Sequence, residues 1–175
     1  MKPKRPRRTD RPPTEAEYLQ KFRDDPMFGV ALIEVSAELY AEKEASWTPA
    51  QRRANRALVR KFNHETGLLT AQELIHQTAV RMKPHDACNY TLPGSREALR
   101  EALAAFKVAE RMLGYVRKPE RAGPLAVIDV NRTLARAALR AIKSGRPLDR
   151  EKDITDDGRI PLRSRKSPRR GRPSA

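Results

Sequence analysis

The spacing of apolar residues between Ser95 and Val116 is the feature that most constrains how this chain can fold. Leu99, Phe106 and Leu113 recur every seven residues. They alternate with a second set of smaller side chains, Ala102, Ala109 and Val116. Such a pattern places one apolar stripe along an α-helix, and its shortness indicates internal packing rather than an independent coiled coil. The sequence therefore predicts a helical core that contains this segment.

Helix-start and helix-stop signals divide the rest of the chain into further helices. Capping boxes are formed by three pairs of residues, Thr14 with Glu17, Thr48 with Gln51, and Thr70 with Glu73. Ser95 is a further N-cap, and Gly67 and the segment 118–124 are predicted breaks. The predicted helices cover residues 14–25, 28–44, 49–66, 70–82, 95–116 and 125–143. Apolar positions at helical spacing, predicted to face the core, include Val35, Leu39, Val80, Val127 and Val130. No segment alternates with period two, so the predicted fold class is all-α.

Prolines and cations concentrate at the two ends of the chain. Residues 1–13 contain four prolines and six Lys or Arg against one Asp, and residues 159–175 contain seven Lys or Arg and no acid. Segments of this composition bury too little apolar area to offset the entropy lost on ordering. We predict a single compact all-α domain of about six helices at 14–146, between a disordered basic arm at 1–13 and a disordered basic tail at 147–175.

The net charge of +15 and a pI near 10.6 indicate a polyanionic partner. The two ends carry +12 of this charge, which leaves +3 for residues 14–158. Nucleic acid is the predicted partner, and phosphate contacts would release counterions. The cations and the glycine predicted to bind it are Lys2, Lys4, Arg5, Arg7 and Arg8 in the arm, and Arg165, Lys166, Arg169, Arg170, Gly171 and Arg172 in the tail.

The tail contains the run Arg170-Gly171-Arg172-Pro173 with further arginines beside it. This run resembles the AT-hook, a short DNA-binding motif. The resemblance implies that Arg170 and Arg172 enter the narrow minor groove of A·T-rich DNA, where the negative potential favours inserted arginine. Gly171 would let the backbone approach the groove floor. The resemblance does not extend to the helical core, and a merely solubilising or nonspecific tail is the alternative.

The last predicted helix carries a basic stripe. At roughly 100° per residue, Arg132, Arg136, Arg140 and Lys143 fall within about 80° of arc. No acidic partner for them is evident in the sequence, and a row of cations on a rigid helix can follow a phosphate backbone. We predict that this stripe contacts nucleic acid, and a solvated face is the alternative.

A second group of arginines on the third predicted helix has a structural interpretation. Glu34, Glu38 and Glu42 recur every fourth residue on the preceding helix. An antiparallel hairpin about Trp47 would pair them with Arg60, Arg56 and Arg52. We therefore favour a charge ladder between these helices over a DNA-facing surface.

The chain offers four candidate zinc ligands, His64, His76, His85 and Cys88. His85 and Cys88 have the spacing of a feasible ligand pair, but the remaining spacings match no zinc pattern, so the prediction is that the protein holds no metal. No nucleophile with its base, phosphate-cradling glycine loop or paired carboxylates stands out. We predict that the protein is not an enzyme and needs no cofactor.

The sequence thus predicts a nucleic-acid-binding accessory protein with DNA as its preferred partner over RNA. The alternative is a structural or protein-interaction subunit of a nucleoprotein complex, virion or secretion assembly. Aromatic residues are only 5% of the chain, which argues against recognition of single strands by base stacking. One cysteine, no signal-peptide pattern and no membrane-spanning apolar run predict a cytoplasmic protein, nucleoid-associated in a bacterium or nuclear in a eukaryote, without membrane contact.

Overall fold

The computed structural model describes residues 14–86 and 93–145, and the regular secondary structure within these ranges is entirely helical. The five helices are α1 (Glu15–Asp24), α2 (Met27–Glu44), α3 (Pro49–Asp86), α4 (Ser95–Leu113) and α5 (Lys118–Ser144). The all-α prediction is confirmed for the described ranges. These ranges contain five helices and not the predicted six, because the predicted helices 49–66 and 70–82 form one continuous helix, α3.

The starts of α1 and α3 lie where the capping boxes predict them. The Glu17 amide donates to the Thr14 hydroxyl at 3.3 Å, and the Thr14 amide donates to the Glu17 carboxylate at 2.6 Å. Thr48 and Gln51 exchange equivalent hydrogen bonds of 3.3 and 2.9 Å. Pro49 follows at the first helical position, where the lack of an N–H group costs nothing. Local sequence alone accounts for both helix starts.

The predicted break at Gly67 is wrong, because α3 continues through it as one helix of 38 residues. Gly67 is buried where α3 crosses α4. A side-chain carbon at this position would lie 2.8 Å from the backbone carbonyl oxygen of Met112. Glycine therefore serves a close contact between helices here and not the end of a helix.

Thr70 does not start a helix, although it forms a capping-box pattern with Glu73. The Thr70 side chain is buried within α3, and its hydroxyl donates to the Thr66 carbonyl at 2.7 Å. A threonine inside a helix satisfies its hydroxyl through the carbonyl four residues earlier. The same side chain thus makes an internal hydrogen bond instead of a cap.

The first turns of α4 and α5 also differ from the prediction. Gly94, with a φ of 81°, is the N-cap of α4 in place of Ser95. α5 begins at Lys118 rather than at 125 and includes both prolines of the predicted break. Pro119 lies in the first turn, where proline is tolerated. Gly123 precedes Pro124 and lacks the Cβ atom that would collide with the proline ring.

The core is centred on α4, which packs against both α3 and α5. All six residues of the predicted stripe are buried, namely Leu99, Ala102, Phe106, Ala109, Leu113 and Val116. Ile128, Ala135 and Ala138 of α5 belong to the same core cluster as this stripe, and so do Leu74, Ile75 and Met82 of α3. The internal packing role predicted for α4 is confirmed.

Five apolar residues predicted to face the core are instead exposed. They are Val35, Leu39, Val80, Val127 and Val130. On α2, the buried residues are Gly29, Val30 and Ile33, and Gly29 lies against the Thr70 side chain of α3. This contact turns the predicted stripe of α2 partly away from the core.

Candidate nucleic-acid interface

Four cationic side chains from two helices surround one groove at the open end of the α4–α5 hairpin. We call this site the basic groove, and it encloses about 410 Å³. Its lining residues are Arg96 and Arg100 of α4 with Leu139, Arg140 and Lys143 of α5. The groove thus presents positive charge around a small apolar patch.

Helical periodicity and hairpin geometry bring these cations together. Arg96 and Arg100 are four residues apart on α4, and Arg140 and Lys143 are three apart on α5, so each pair shares a helix face. α4 and α5 run antiparallel through the short turn that joins them. The first turns of α4 therefore lie beside the last turns of α5, and the two pairs converge.

The cations of the basic groove are exposed, and none of the four makes an ion pair with another residue in 14–86 or 93–145. Glu97 and Glu101 follow two of the arginines on α4 but do not line the groove, since successive side chains point about 100° apart. Like charges gathered without a counter-charge repel one another, and a bound anion relieves that repulsion. The groove is therefore suited to a phosphate.

The last turn of α5 lies at the same end of the hairpin as the basic groove. α5 ends at Ser144 with Gly145 as its C-cap, at a φ of 64°. The partial negative charge at a helix C-terminus favours the nearby Lys143 and Arg140. The described part of the chain thus ends at Gly145, two residues after Lys143 of the basic groove.

Arg132 corrects the predicted basic stripe. Its side chain is only 13% exposed, and its guanidinium donates to the Glu110 carboxylate of α4 at 2.5 Å. This hydrogen bond, opposed by burial, holds the pKa of Glu110 below the usual range of a glutamate. The sequence offered no sign of this partner because Glu110 lies 22 positions away across the hairpin. Arg132 is a structural residue and not a free cation.

The rest of the stripe divides between two environments. Arg136 is exposed on α5 and makes no ion pair with any described residue. Arg140 and Lys143 line the basic groove. Sequence reasoning missed Arg96 and Arg100, whose four-residue spacing on the polar side of α4 was the available signal.

The charge ladder predicted between the second and third helices has different partners. The α2–α3 hairpin exists, but Arg56 donates to Glu44 at 2.5 Å and to the Tyr40 hydroxyl at 3.1 Å. Glu34 pairs with Arg111 of α4 at 3.6 Å. The hydrogen bond from Arg56 is the main cause that lowers the pKa of Glu44. These pairs are exposed and stabilise the fold only weakly.

The helices differ strongly in charge. Residues 15–44 carry eight acidic and three basic side chains, a net charge of −5. Residues 49–145 carry eighteen basic and eight acidic side chains, a net charge of +10. The small charge of residues 14–158 therefore hides an acidic α1–α2 part and a basic α3–α5 part. The basic groove belongs to the basic part.

Much of the predicted interface lies outside the described residues. This holds for Lys2, Lys4, Arg5, Arg7 and Arg8 of the arm and for Arg165, Lys166, Arg169, Arg170, Gly171 and Arg172 of the tail. The AT-hook-like run and the outer boundaries of the domain therefore stay predictions.

The candidate zinc ligands are not gathered by the described part of the chain. His64 contacts the α4–α5 turn, His85 lies 2.9 Å from the Ser95 hydroxyl, and His76 is exposed on α3. Cys88 lies outside the described residues. Within those residues, no three His, Cys, Asp or Glu side chains are close enough to hold one metal ion.

None of the helices in 14–86 and 93–145 has both the length and the apolar character that a membrane span requires. No protein-family model, curated protein or solved structure matches the chain.

Proposed function

We propose that this protein is a DNA-binding accessory protein whose helical domain contacts the phosphate backbone through the basic groove. The observation that carries the proposal is the convergence of four cations on one groove without an ion-pair partner among the described residues. Helix-borne cations are already positioned, so binding loses less entropy than it would with a flexible arm alone.

The proposed mechanism is electrostatic. Arg100 and Arg140 can each present a planar guanidinium to phosphate oxygens, and each phosphate contact releases counterions. The basic arm and tail add further contacts, and the AT-hook-like run adds a preference for A·T-rich minor grooves. The proposed role is binding alone, without catalysis, metal or cofactor.

Salt dependence of duplex binding tests the proposal. We expect Arg100→Gln with Arg140→Gln to lower the slope of log affinity against log salt by about 1.8, since each neutralised phosphate of a duplex contributes about 0.9 to the slope. The control is Arg23→Gln with Arg53→Gln, which removes the same charge from exposed positions on α1 and α3. Fluorescence anisotropy with a labelled duplex measures both. Equal decreases of slope in the two variants would show that only total charge matters and would overturn the groove assignment.

A second candidate function, a structural subunit that assembles through protein contacts, is favoured by exposed apolar residues. Val35 and Leu39 are one turn apart on α2, and Leu58 and Phe62 are one turn apart on α3. Exposed apolar groups of this kind mark protein contacts when they are contiguous. Sedimentation of the full chain separates the two candidate functions. The structural-subunit function predicts an assembly that the double variant Leu39→Glu with Leu58→Glu dissociates. A wild-type chain that sediments as a monomer would exclude self-assembly.

A further inference from the structure

A second cavity lies at the opposite end of the α4–α5 hairpin, where α3 passes the turn between those helices. We call it the turn cavity, and its volume is about 500 Å³. It is lined by Ala57, Arg60, Lys61, Asn63 and His64 of α3 and by Tyr115 and Arg117 of the turn. Ligand sites in proteins commonly have volumes of roughly 300 to 1,000 Å³, so the turn cavity can hold a small molecule.

The close crossing at Gly67 lies beside Tyr115, one of the residues that line this cavity. A side-chain carbon at Gly67 would lie 3.4 Å from Cβ of Tyr115 and 2.8 Å from the Met112 carbonyl oxygen. The absence of a side chain there lets the turn approach α3. Tyr115 is thereby held against α3 while its side chain stays 46% exposed. Because Tyr115 lines the cavity and is partly exposed, its side chain is accessible to a ligand there.

The charges of the cavity are positive. Arg60, Lys61 and Arg117 line it together with no carboxylate. Lys61 makes a long ion pair with Glu65 at 3.9 Å. Arg60 and Arg117 make none with a described residue. Two guanidinium groups are therefore available to an anion.

The His64 side chain positions the Arg117 backbone at the cavity. Its Nδ1 atom accepts a hydrogen bond from the Arg117 amide at 3.3 Å, and its Nε2 atom lies 3.0 Å from the Glu120 carboxylate. A neutral imidazole with its hydrogen on Nε2 satisfies both contacts. Glu120, a carboxylate beside the cavity, is thus directed to His64 and leaves Arg117 for a ligand.

We propose that the turn cavity binds one unpaired nucleotide, with the phosphate on Arg60 and Arg117 and the base stacked on Tyr115. Stacking on an aromatic ring beside a cationic groove is how single-stranded nucleic acid is held without sequence preference. A base inside a duplex is stacked on its neighbours and does not reach such a ring. The ligand is therefore a free nucleotide or a nucleotide of a single strand, and the site is separate from the basic groove. The low aromatic content of the chain does not oppose it, since one well-placed ring is enough.

Substitution of Tyr115 tests the stacking contact in the full chain. The probe is a fluorescently labelled single strand of ten thymidines, measured by anisotropy. We expect Tyr115→Ala to weaken binding by at least about fivefold with little change in salt slope, because stacking of one base contributes roughly that much. Tyr115→Phe keeps the ring and should bind as the wild type does. Tyr18→Ala is the matched control, since Tyr18 is a tyrosine of similar exposure, 41%, on α1.

The phosphate contacts have their own readout. Arg60→Gln with Arg117→Gln should lower the salt slope of single-strand binding by about 0.7, because the two arginines share one phosphate and each neutralised phosphate of a single strand contributes about 0.7 to the slope. Competition then identifies the ligand: displacement of the probe by millimolar thymidine monophosphate supports a free nucleotide, and displacement only by unlabelled oligothymidine supports a single strand. Equal affinities of the wild type and Tyr115→Ala would overturn the proposal.

The outcome is separable from that of the proposed function. Arg100→Gln with Arg140→Gln should weaken duplex binding and leave the effect of Tyr115→Ala on single strands intact. A second outcome is that Tyr115→Ala leaves single-strand affinity unchanged while Arg100→Gln with Arg140→Gln lowers duplex affinity. That outcome would exclude the nucleotide site and support the assignment of the basic groove.

Discussion

The Arg132 guanidinium on α5 donates to the Glu110 carboxylate on α4 at 2.5 Å and joins the two arms of the hairpin. Arg132 is 13% exposed and Glu110 is 50% exposed, so the pair is only partly shielded from solvent. Arg132 lies about two helical turns before Arg140. The contact therefore helps to set the register in which Arg100 and Arg140 line the same groove.

Separate roles for Arg132 and Arg140 follow from this arrangement. We expect Arg132→Gln to lower the free energy of unfolding by up to about 1 kcal/mol and to leave the salt slope of duplex binding nearly unchanged. Arg140→Gln should instead leave the free energy of unfolding unchanged and lower the salt slope of duplex binding by about 0.9. Urea unfolding and anisotropy titrations measure the two quantities. A decrease of salt slope in Arg132→Gln as large as that in Arg140→Gln would contradict the structural role.

The same pair predicts a pH dependence of stability. The hydrogen bond from Arg132 lowers the pKa of Glu110 in the folded protein, so the pair stabilises the fold at neutral pH. This stabilisation is lost as the pH falls through the lowered pKa, which lies below the unfolded value of about 4.3. We expect Glu110→Gln to be less stable than the wild type by under about 1 kcal/mol at pH 7. The difference should approach zero well below pH 4.

Urea unfolding of both proteins across this pH range checks the prediction. Glu44 also has a lowered pKa, caused chiefly by the hydrogen bond from Arg56, but it is present in both proteins and cancels in the comparison. A difference that stays constant from pH 7 to the acid end would show that Glu110 contributes through packing and not through its charge.

The AT-hook-like run predicts a base-composition preference. We expect the full chain to bind A·T-rich duplex more tightly than G·C-rich duplex, and Arg170→Ala with Arg172→Ala to remove that preference. Arg163→Ala with Arg165→Ala removes equal charge from the same tail and should weaken both duplexes alike. Parallel anisotropy titrations with the two duplexes measure the ratio of affinities. If the two variants reduce the ratio equally, the run acts only as positive charge.

Local signals predict some of these elements and mislead at others for a physical reason. The capping boxes at Thr14 and Thr48 are confirmed because their hydrogen bonds form between residues three apart. Gly67 carries a helix-stop signal and Thr70 carries a capping-box signal, yet both residues are buried inside α3. There, tertiary contact with α4 or α2 and the hydrogen bond to the preceding turn decide the backbone conformation.

Some residues of the basic groove could be predicted from local spacing, and others could not. Arg140 and Lys143 share a face of one helix, so helical spacing alone was enough to select them. Arg96 and Arg100 join them only through the register of the α4–α5 hairpin, which single-helix periodicity does not contain. Arg132 satisfied the same spacing, but it is not the unpaired cation that the sequence suggested, because its partner Glu110 is on another helix.

The crossing of α2 and α3 at Gly29 gives a stability prediction. A side-chain carbon at Gly29 would overlap with the Thr70 hydroxyl oxygen and lie 2.5 Å from a ring carbon of Phe22. We expect Gly29→Ala to destabilise the fold by about 1–3 kcal/mol, although alanine is the better helix former.

Ala31→Gly, at an exposed position of the same helix, measures the propensity effect alone and should cost about 0.5–1 kcal/mol. In a Thr70→Ala background the penalty of Gly29→Ala should shrink, because the overlapping hydroxyl is gone. Urea unfolding of these variants and the wild type tests this, and a Gly29→Ala variant as stable as the wild type would mean that α2 and α3 do not cross this closely.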